Sequence, residues 1–205
     1  IEIRADTRAI DLCSGNGIIP LLLCGTTKVK HIDAVEIQEG AASLAQDSVK
    51  LNCLEEKIEI TCADIKNIQS FFEKSSYETV TCNPPYAKET HGKESPVTAK
   101  AIARHEILCN LEDVIKSAEY LLKPNGKFFL IHRPERLSEI FALFNKYKME
   151  PSVLRFIQPF ADTEPTMVLI EARKNLKPNV KVLAPLIIYK DKGIYTEEVK
   201  SIYKI

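Results

Sequence analysis

Arg8-Ala9-Ile10-Asp11-Leu12-Cys13-Ser14-Gly15-Asn16-Gly17 is the stretch from which the fold can be read outward. An apolar strand-like run, Arg8 to Leu12, ends on a turn bearing two glycines and leads into a helical stretch through about Leu23. Glycine lets a backbone bend tightly and approach a ligand closely, so this is a nucleotide-type cofactor loop with Asp11, Cys13, Gly15, Asn16 and Gly17 as its candidate binding residues. A dinucleotide loop would carry a third glycine where Pro20 stands, and Asp11 places negative charge where a pyrophosphate would lie. Both departures argue against NAD. Asp11 suits a cationic ligand, such as one carrying an amino group and a sulfonium.

Downstream, short apolar runs alternate with helical periodicity, the pattern of a parallel sheet with helices on both faces. The spacing predicts strands at His31–Glu36, Ile58–Thr61, Glu78–Cys82 and Lys127–His132. It also predicts helices from Gly40 to about Leu51, with Ala41, Leu44, Ala45, Ser48 and Val49 on one face, from Leu111 to Leu122, and around Leu137, Ile140, Phe141 and Phe144. A short helix ends near Phe72, and Pro124-Asn125-Gly126 stops the helix before the fifth strand. Val153–Ile157 and Met167–Ala172 are joined by too few residues for a crossover helix, so they should pair antiparallel. The expectation is an α/β chain with a seven-stranded, mostly parallel sheet whose final strand is antiparallel. The whole chain reads as one domain, 1–205, with a tail at 186–205 that holds a strand at Leu186–Tyr189, a turn at Asp191-Lys192-Gly193 and a helix from about Thr196.

Three further positions fall at strand ends. Glu36, about 20 residues past the glycine turn, is placed for a carboxylate to accept from both ribose hydroxyls. Asp64 reads first as a helix N-cap and second as a contact to an adenine edge, with Ile37 and Ile65 sandwiching the ring. Asn83-Pro84-Pro85-Tyr86 is the most specific signal. Two prolines stiffen the backbone and remove two amide donors, leaving the Pro84 carbonyl and the Asn83 side-chain oxygen as acceptors aimed at one spot. Two convergent acceptors fit a planar NH2 group, and Tyr86 offers a face for the attached ring.

Composition bounds the rest. The 205 residues are 45% hydrophobic and 27% charged, which excludes a disordered chain. The longest apolar run, Ile18–Cys24, contains Pro20 and is far shorter than the roughly 18 residues a membrane span requires. Lysine plus arginine (28) balance aspartate plus glutamate (28), so no global field draws the chain to nucleic acid and any such binding needs a local patch. Lys88, His91, Lys93, Lys100, Arg104 and His105, in the least patterned stretch, form the best local basic patch and a candidate substrate lid. The six cysteines lack metal-ligand spacing, so no metal is expected and the thiols read as reduced. Cys13, Cys62 and Cys82 at strand ends could form a thiol cluster, against the plainer reading of small buried apolar groups. His132 and Arg133 divide evenly between a surface cap and an RNA contact.

The combination of Asp11-x-Cys-Ser-Gly-Asn-Gly, Val35-Glu36-Ile37, Ala63-Asp64-Ile65 and Asn83-Pro84-Pro85-Tyr86 resembles S-adenosylmethionine-dependent methyltransferases that act on amino groups. Arg104-His105-Glu106, Leu121-Leu122-Lys123-Pro124-Asn125-Gly126 and His132-Arg133-Pro134-Glu135-Arg136 further resemble the bacterial family that methylates the exocyclic amine of an adenosine beside the anticodon of valine tRNA. The resemblance implies a Rossmann-like class I methyltransferase fold, S-adenosylmethionine as cofactor, tRNA as partner, a cytoplasmic location, and Asn83, Pro84, Pro85 and Tyr86 as the catalytic turn, with Asn83 also near the cofactor. It also implies a missing N-terminal segment; a monomer is favoured. Within the same chemistry, a glutamine side-chain amide or the guanine exocyclic amine is the alternative substrate. From another class, the alternative is a non-catalytic RNA-binding protein of this fold, which would be expected to have lost the very residues that are present.

Overall fold

The computed structural model describes residues 3, 5–86, 109–175, 177 and 179–204. The basic residues Lys88, His91, Lys93, Lys100, Arg104 and His105 lie outside the described residues. The first half is built from β1 (Arg8–Leu12), α1 (Ile18–Thr26), β2 (His31–Glu36), α2 (Glu39–Leu51), β3 (Ile58–Cys62), a 3-10 turn (Ile65–Ser70) and β4 (Tyr77–Cys82). The second half contains α3 (Leu111–Leu121), β5 (Leu122–His132), a 3-10 turn (Pro134–Arg136), α4 (Leu137–Lys146), β6 (Met149–Gln158) and β7 (Met167–Lys174). A tail follows with β8 (Lys181–Val182), β9 (Leu186–Ile187), the hairpin β10 (Tyr189–Asp191) and β11 (Ile194–Tyr195), and α5 (Glu197–Tyr203).

The main sheet runs β3-β2-β1-β4-β5-β7-β6-β8, with β9 also on β6. Strands β1 to β5 are mutually parallel, and β7 is antiparallel to both β5 and β6, as its short connection to β6 dictates. Winding proceeds outward from β1 to β3 and then returns to β4 on the other side of β1. That reversal creates the crevice where open α/β sheets bind ligands, outside the carboxyl ends of β1 and β4.

Alternation along the central strands sorts side chains to two faces. Ile10, Leu12, Val80 and Cys82 point to the larger core, packed with Ile65, Ile68, Leu111, Val114, Ile115, Ala118, Leu121, Ile140 and Phe144. Ala9 and Ile32 point to the smaller one, with Leu23, Val49 and Ile58. Helices thus cover both faces, and the inner strands are buried almost without interruption, their acidic positions Asp11, Asp33 and Glu36 included.

Four local expectations are corrected. The sheet has nine strands rather than seven, because two-residue strands of the tail pair with β6 and cover what would be an open edge. The expected Leu186–Tyr189 strand breaks at Ile188, one part joining the sheet and the other the hairpin. In α2 the buried positions are Ala42, Ala45 and Val49, while Leu44 is 61% exposed. Finally, Pro124-Asn125-Gly126 lies inside β5 rather than before it: Asn125 takes φ 63° and the register with β4 jumps from Tyr77↔Leu122 to Thr79↔Lys127. A Cβ on Gly126 would fall 2.9 Å from the Lys123 carbonyl oxygen, so this bulge requires glycine.

Candidate active site

The turn after β1 is held from below and from the side. Cys13, Gly15 and Gly17 all take positive φ (57°, 56° and 82°), which coils Cys13–Gly17 tightly. The Ser14 N–H donates to the Val35 carbonyl at 3.0 Å and the Gly17 N–H to the Ser14 carbonyl at 3.0 Å. Glu36, 5% exposed at the end of β2, accepts from the Gly15 N–H through Oε2 at 2.8 Å and from the Gln38 N–H through Oε1 at 2.9 Å. One carboxylate therefore braces two turns. Oε1 also accepts from the Gln38 side-chain amide at 3.4 Å, whereas Oε2 retains acceptor capacity beyond its one bond.

Asp11 belongs to the smaller-core face and is fully buried beneath the turn, opposite Thr81 in the β1–β4 register. Its Oδ1 accepts from the Thr81 hydroxyl at 2.5 Å, while Oδ2 and the nearby Ser14 hydroxyl have no hydrogen-bond partner. Burial pushes the Asp11 carboxyl up to about 7, against the opposing effect of the Thr81 hydrogen bond.

A cavity of about 300 Å³ opens at the crevice. Ten sequence-predicted residues line it: Cys13, Gly15, Glu36, Ile37, Asp64, Ile65, Asn83, Pro84, Pro85 and Tyr86. Asp11, Asn16 and Gly17 do not. Asp11 points under the turn, and Gly17 caps α1 with its Cα against α2, where a Cβ would fall 3.0 Å from that of Ala45. Val35, Gln38, Ala63 and Cys109 also line the cavity and were not singled out. The first three flank residues that were; Cys109 carries no local signal at all. Asp64 is the helix cap that the sequence suggests first. It caps the 3-10 turn, accepting from the Lys66 N–H at 2.9 Å, and it lines the wall.

Asn83 is exposed at the mouth and Pro84 is buried. The Tyr86 hydroxyl donates to Asn83 Oδ1, and no described residue donates to the Pro84 carbonyl. Burial pushes the Tyr86 phenol up to about 12, so it remains a neutral donor. Its ring meets His132 edge-on at 5.4 Å and 79°, and the Arg133 guanidinium lies 5.7 Å from the ring centroid. His132 is 1% exposed, and burial pulls it down to about 4, so the imidazole is neutral. Its Nδ1 accepts from the Arg133 N–H at 2.8 Å, leaving the ring proton on Nε2.

The thiol cluster exists with a different membership. Cys13 contacts Cys82 and Cys109, whereas Cys62 is exposed with its thiol 3.9 Å from the Ile37 carbonyl. Burial pushes the Cys82 thiol up, and contact with Cys13 does the same to Cys109, so both are protonated packing groups rather than nucleophiles. Elsewhere, His31, Asp33 and Glu59 converge toward the opposite edge of the sheet, but Asp33 Oδ2 already accepts from the Tyr77 hydroxyl at 2.7 Å and from Arg8 at 3.0 Å.

The profile of the methyltransferase small domain matches residues 1–149. The chain belongs to the methyltransferase small domain family. A curated relative of this methyltransferase domain, the tRNA1(Val) (adenine(37)-N6)-methyltransferase of Tolumonas auensis, is 31% identical over 142 residues, 69% of this chain. The chain spans 57% of that relative's length. Among solved structures, an Agrobacterium tumefaciens protein described as a predicted O-methyltransferase superimposes with a TM-score of 0.79 at 21% identity, covering 98% of this chain and 89% of that one. Geranyl diphosphate C-methyltransferase from Streptomyces coelicolor, solved with S-adenosyl-L-homocysteine, gives 0.62 at 11% identity, covering 84% and 75%. These two likenesses establish the Rossmann-like methyltransferase fold.

Proposed function

We propose that this chain transfers a methyl group from S-adenosylmethionine to the exocyclic N6 amine of adenine in tRNA, in the cytoplasm. The observation that carries the reading is that Asn83 and Pro84 line the same cavity as Glu36 and Asp64. The site's donor and acceptor set fits the methyl donor. Glu36 lines the cavity with Oε2 free to accept from a ribose hydroxyl, Asp64 can accept from an adenine amine, and Ile37 and Ile65 supply apolar contact. Gly15 leaves open space where any other residue would place a Cβ, and the unpartnered Asp11 Oδ2 provides buried negative charge under the turn when ionised. When bound, the cofactor supplies an electrophilic sulfonium methyl.

The residues of the chain then do the rest. Asn83 Oδ1 and the Pro84 carbonyl accept the two amine hydrogens, which fixes the plane of the amine and directs its lone pair toward the methyl at a near-attack separation of about 3 to 3.5 Å. The Tyr86 hydroxyl, donating to Asn83 Oδ1, restrains the amide. As the N–C bond forms and the methyl–sulfur bond breaks, the amine nitrogen becomes cationic, so the two acceptors bind the transition state more strongly than the substrate, and the surplus proton then passes to water. No strong base is needed beforehand. An adenine withdrawn from its stack reaches the site with its ring against Tyr86. The tRNA assignment is supported by the name of the Tolumonas auensis relative.

The test is transfer from radiolabelled S-adenosylmethionine to unmodified bulk tRNA and, separately, to a glutamine-bearing protein extract, followed by nucleoside and amino-acid analysis. Label in N6-methyladenosine is the expected result. Label in methylguanosine or methylglutamine would keep the turn chemistry and overturn the substrate; label in neither would overturn the activity.

A further inference from the structure

The His132-Arg133-Pro134-Glu135-Arg136 segment contains two arginines that the fold treats in opposite ways. Arg136 is 8% exposed and forms a two-pronged ion pair with Glu139, at 3.0 and 2.6 Å, so it is a structural cation. Arg133 is exposed and has no carboxylate partner among the described residues. Its guanidinium rests over the Tyr86 ring and reaches the Thr166 carbonyl through Nη1 at 3.4 Å, at the long end of hydrogen-bond range. Both contacts are weak, and both sit at the carboxyl edge beside the catalytic turn. The backbone leaves β5 in a fixed direction because the buried, neutral His132 accepts the Arg133 N–H. The side chain is thus a permanently charged, planar group that rests on a residue lining the cavity and has no carboxylate partner among the described residues.

We propose that Arg133 contacts a phosphate flanking the target adenosine, and that it leaves the Tyr86 ring when the base arrives. This rests on the RNA reading given above. The geometry points to this division because a planar cation over Tyr86 occupies the kind of face a nucleobase would use. Once displaced, an arginine beside a polyanion finds a phosphodiester as its natural two-pronged partner. His132 acts as a positioning residue in this scheme: it touches Tyr86 and orients Arg133 without reaching the reacting atoms.

The experiment is steady-state transfer to tRNA by wild type, Arg133→Gln and Arg133→Lys across a range of salt concentrations, with the cofactor KM measured in parallel. Arg133→Gln should raise KM for tRNA on the order of tenfold, keep kcat within about twofold and reduce the slope of log affinity against log salt by about one. Arg133→Lys, which keeps the charge and loses the planar fork, should restore the slope with only part of the affinity. A Gln variant with wild-type KM and slope overturns the proposal while leaving the RNA reading intact. Wild-type protein that labels no tRNA overturns the RNA reading, and this proposal with it. Because Arg133 is exposed, an equal thermal transition for all three proteins is expected, and the lysine variant separates lost charge from lost folding in any case.

Discussion

The turn after β1 and the turn after β4 lie side by side at the carboxyl edge of one sheet, yet they are braced by different means. Cys13–Gly17 is locked by backbone hydrogen bonds, three left-handed residues, close packing on Ala45 and the carboxylate of Glu36. Asn83–Tyr86 has no such backbone scaffold among the described residues; its conformation rests on two prolines and on side-chain contacts from Tyr86 to Asn83, His132 and Arg133. The difference teaches that the first turn is preformed, whereas the second is held by side-chain contacts that, on the proposed function, an incoming base would rearrange.

Breaking each turn should therefore give a different kind of defect. Asn83→Ala removes an acceptor that strengthens only as charge develops, so kcat should fall on the order of 10²- to 10³-fold while cofactor affinity stays within about threefold. Retained turnover in a single-turnover transfer assay would refute the assigned chemistry. Glu36→Ala should act on binding instead. It deprives two N–H groups and the ribose of a charged acceptor, and hydrogen bonds to charged groups are worth about 1.5–3 kcal/mol, so cofactor affinity should drop about 10- to 100-fold by calorimetry. An unchanged dissociation constant would move the ribose contact elsewhere. The two glycines sharpen the comparison further. Both need left-handed backbone, but a methyl on Gly15 meets open space while one on Gly17 presses on Ala45, so Gly17→Ala should cost about 2 kcal/mol of unfolding free energy and Gly15→Ala about 1. Equal losses in denaturant titrations would show that strain, not packing, sets the turn.

The sequence was most legible where local pattern and chemistry coincide. The central parallel strands, the antiparallel β6–β7 pair and ten cavity residues follow from apolar runs, connection length and motif spacing. Misreadings arose where a third dimension decides. Asp11 and Glu36 share one face of the sheet, but Asp11 pairs with Ala34, two residues short of Glu36, and so lies deeper, beneath the turn and against Thr81, which only the strand register reveals. Leu44 and Val49 both sit on α2, yet a single helix pattern does not say which stripe meets the sheet. The bulge in β5 looks like a helix stop because Pro-Asn-Gly serves both purposes. Cys109 reaches the cavity only through the return of α3 to the sheet, which no short-range pattern encodes.

The smallest predicted effect tests the softer turn through its titratable brace. His132 holds a neutral imidazole against Tyr86, and burial pulls its folded value down to about 4 from the ordinary 6.5. The unfolded chain takes up a proton as pH falls through 6.5, whereas the folded protein resists until near 4. Stability contributed by this group is therefore fully present above about 6.5 and is lost progressively between there and 4, at most about 1.4 kcal/mol for each pH unit. Between pH 7 and 5.5 the wild-type unfolding free energy should fall by roughly 1 kcal/mol more than that of His132→Phe, which keeps a ring against Tyr86 and removes the titration. The Asp11 carboxyl pulls the other way, since its raised value makes the ligand-free protein more stable as pH falls from about 7 toward 3.8, but that contribution is common to both proteins and cancels in the comparison. Parallel pH profiles for the two would mean that the imidazole titrates alike in the folded and the unfolded chain, which overturns its burial as a neutral brace.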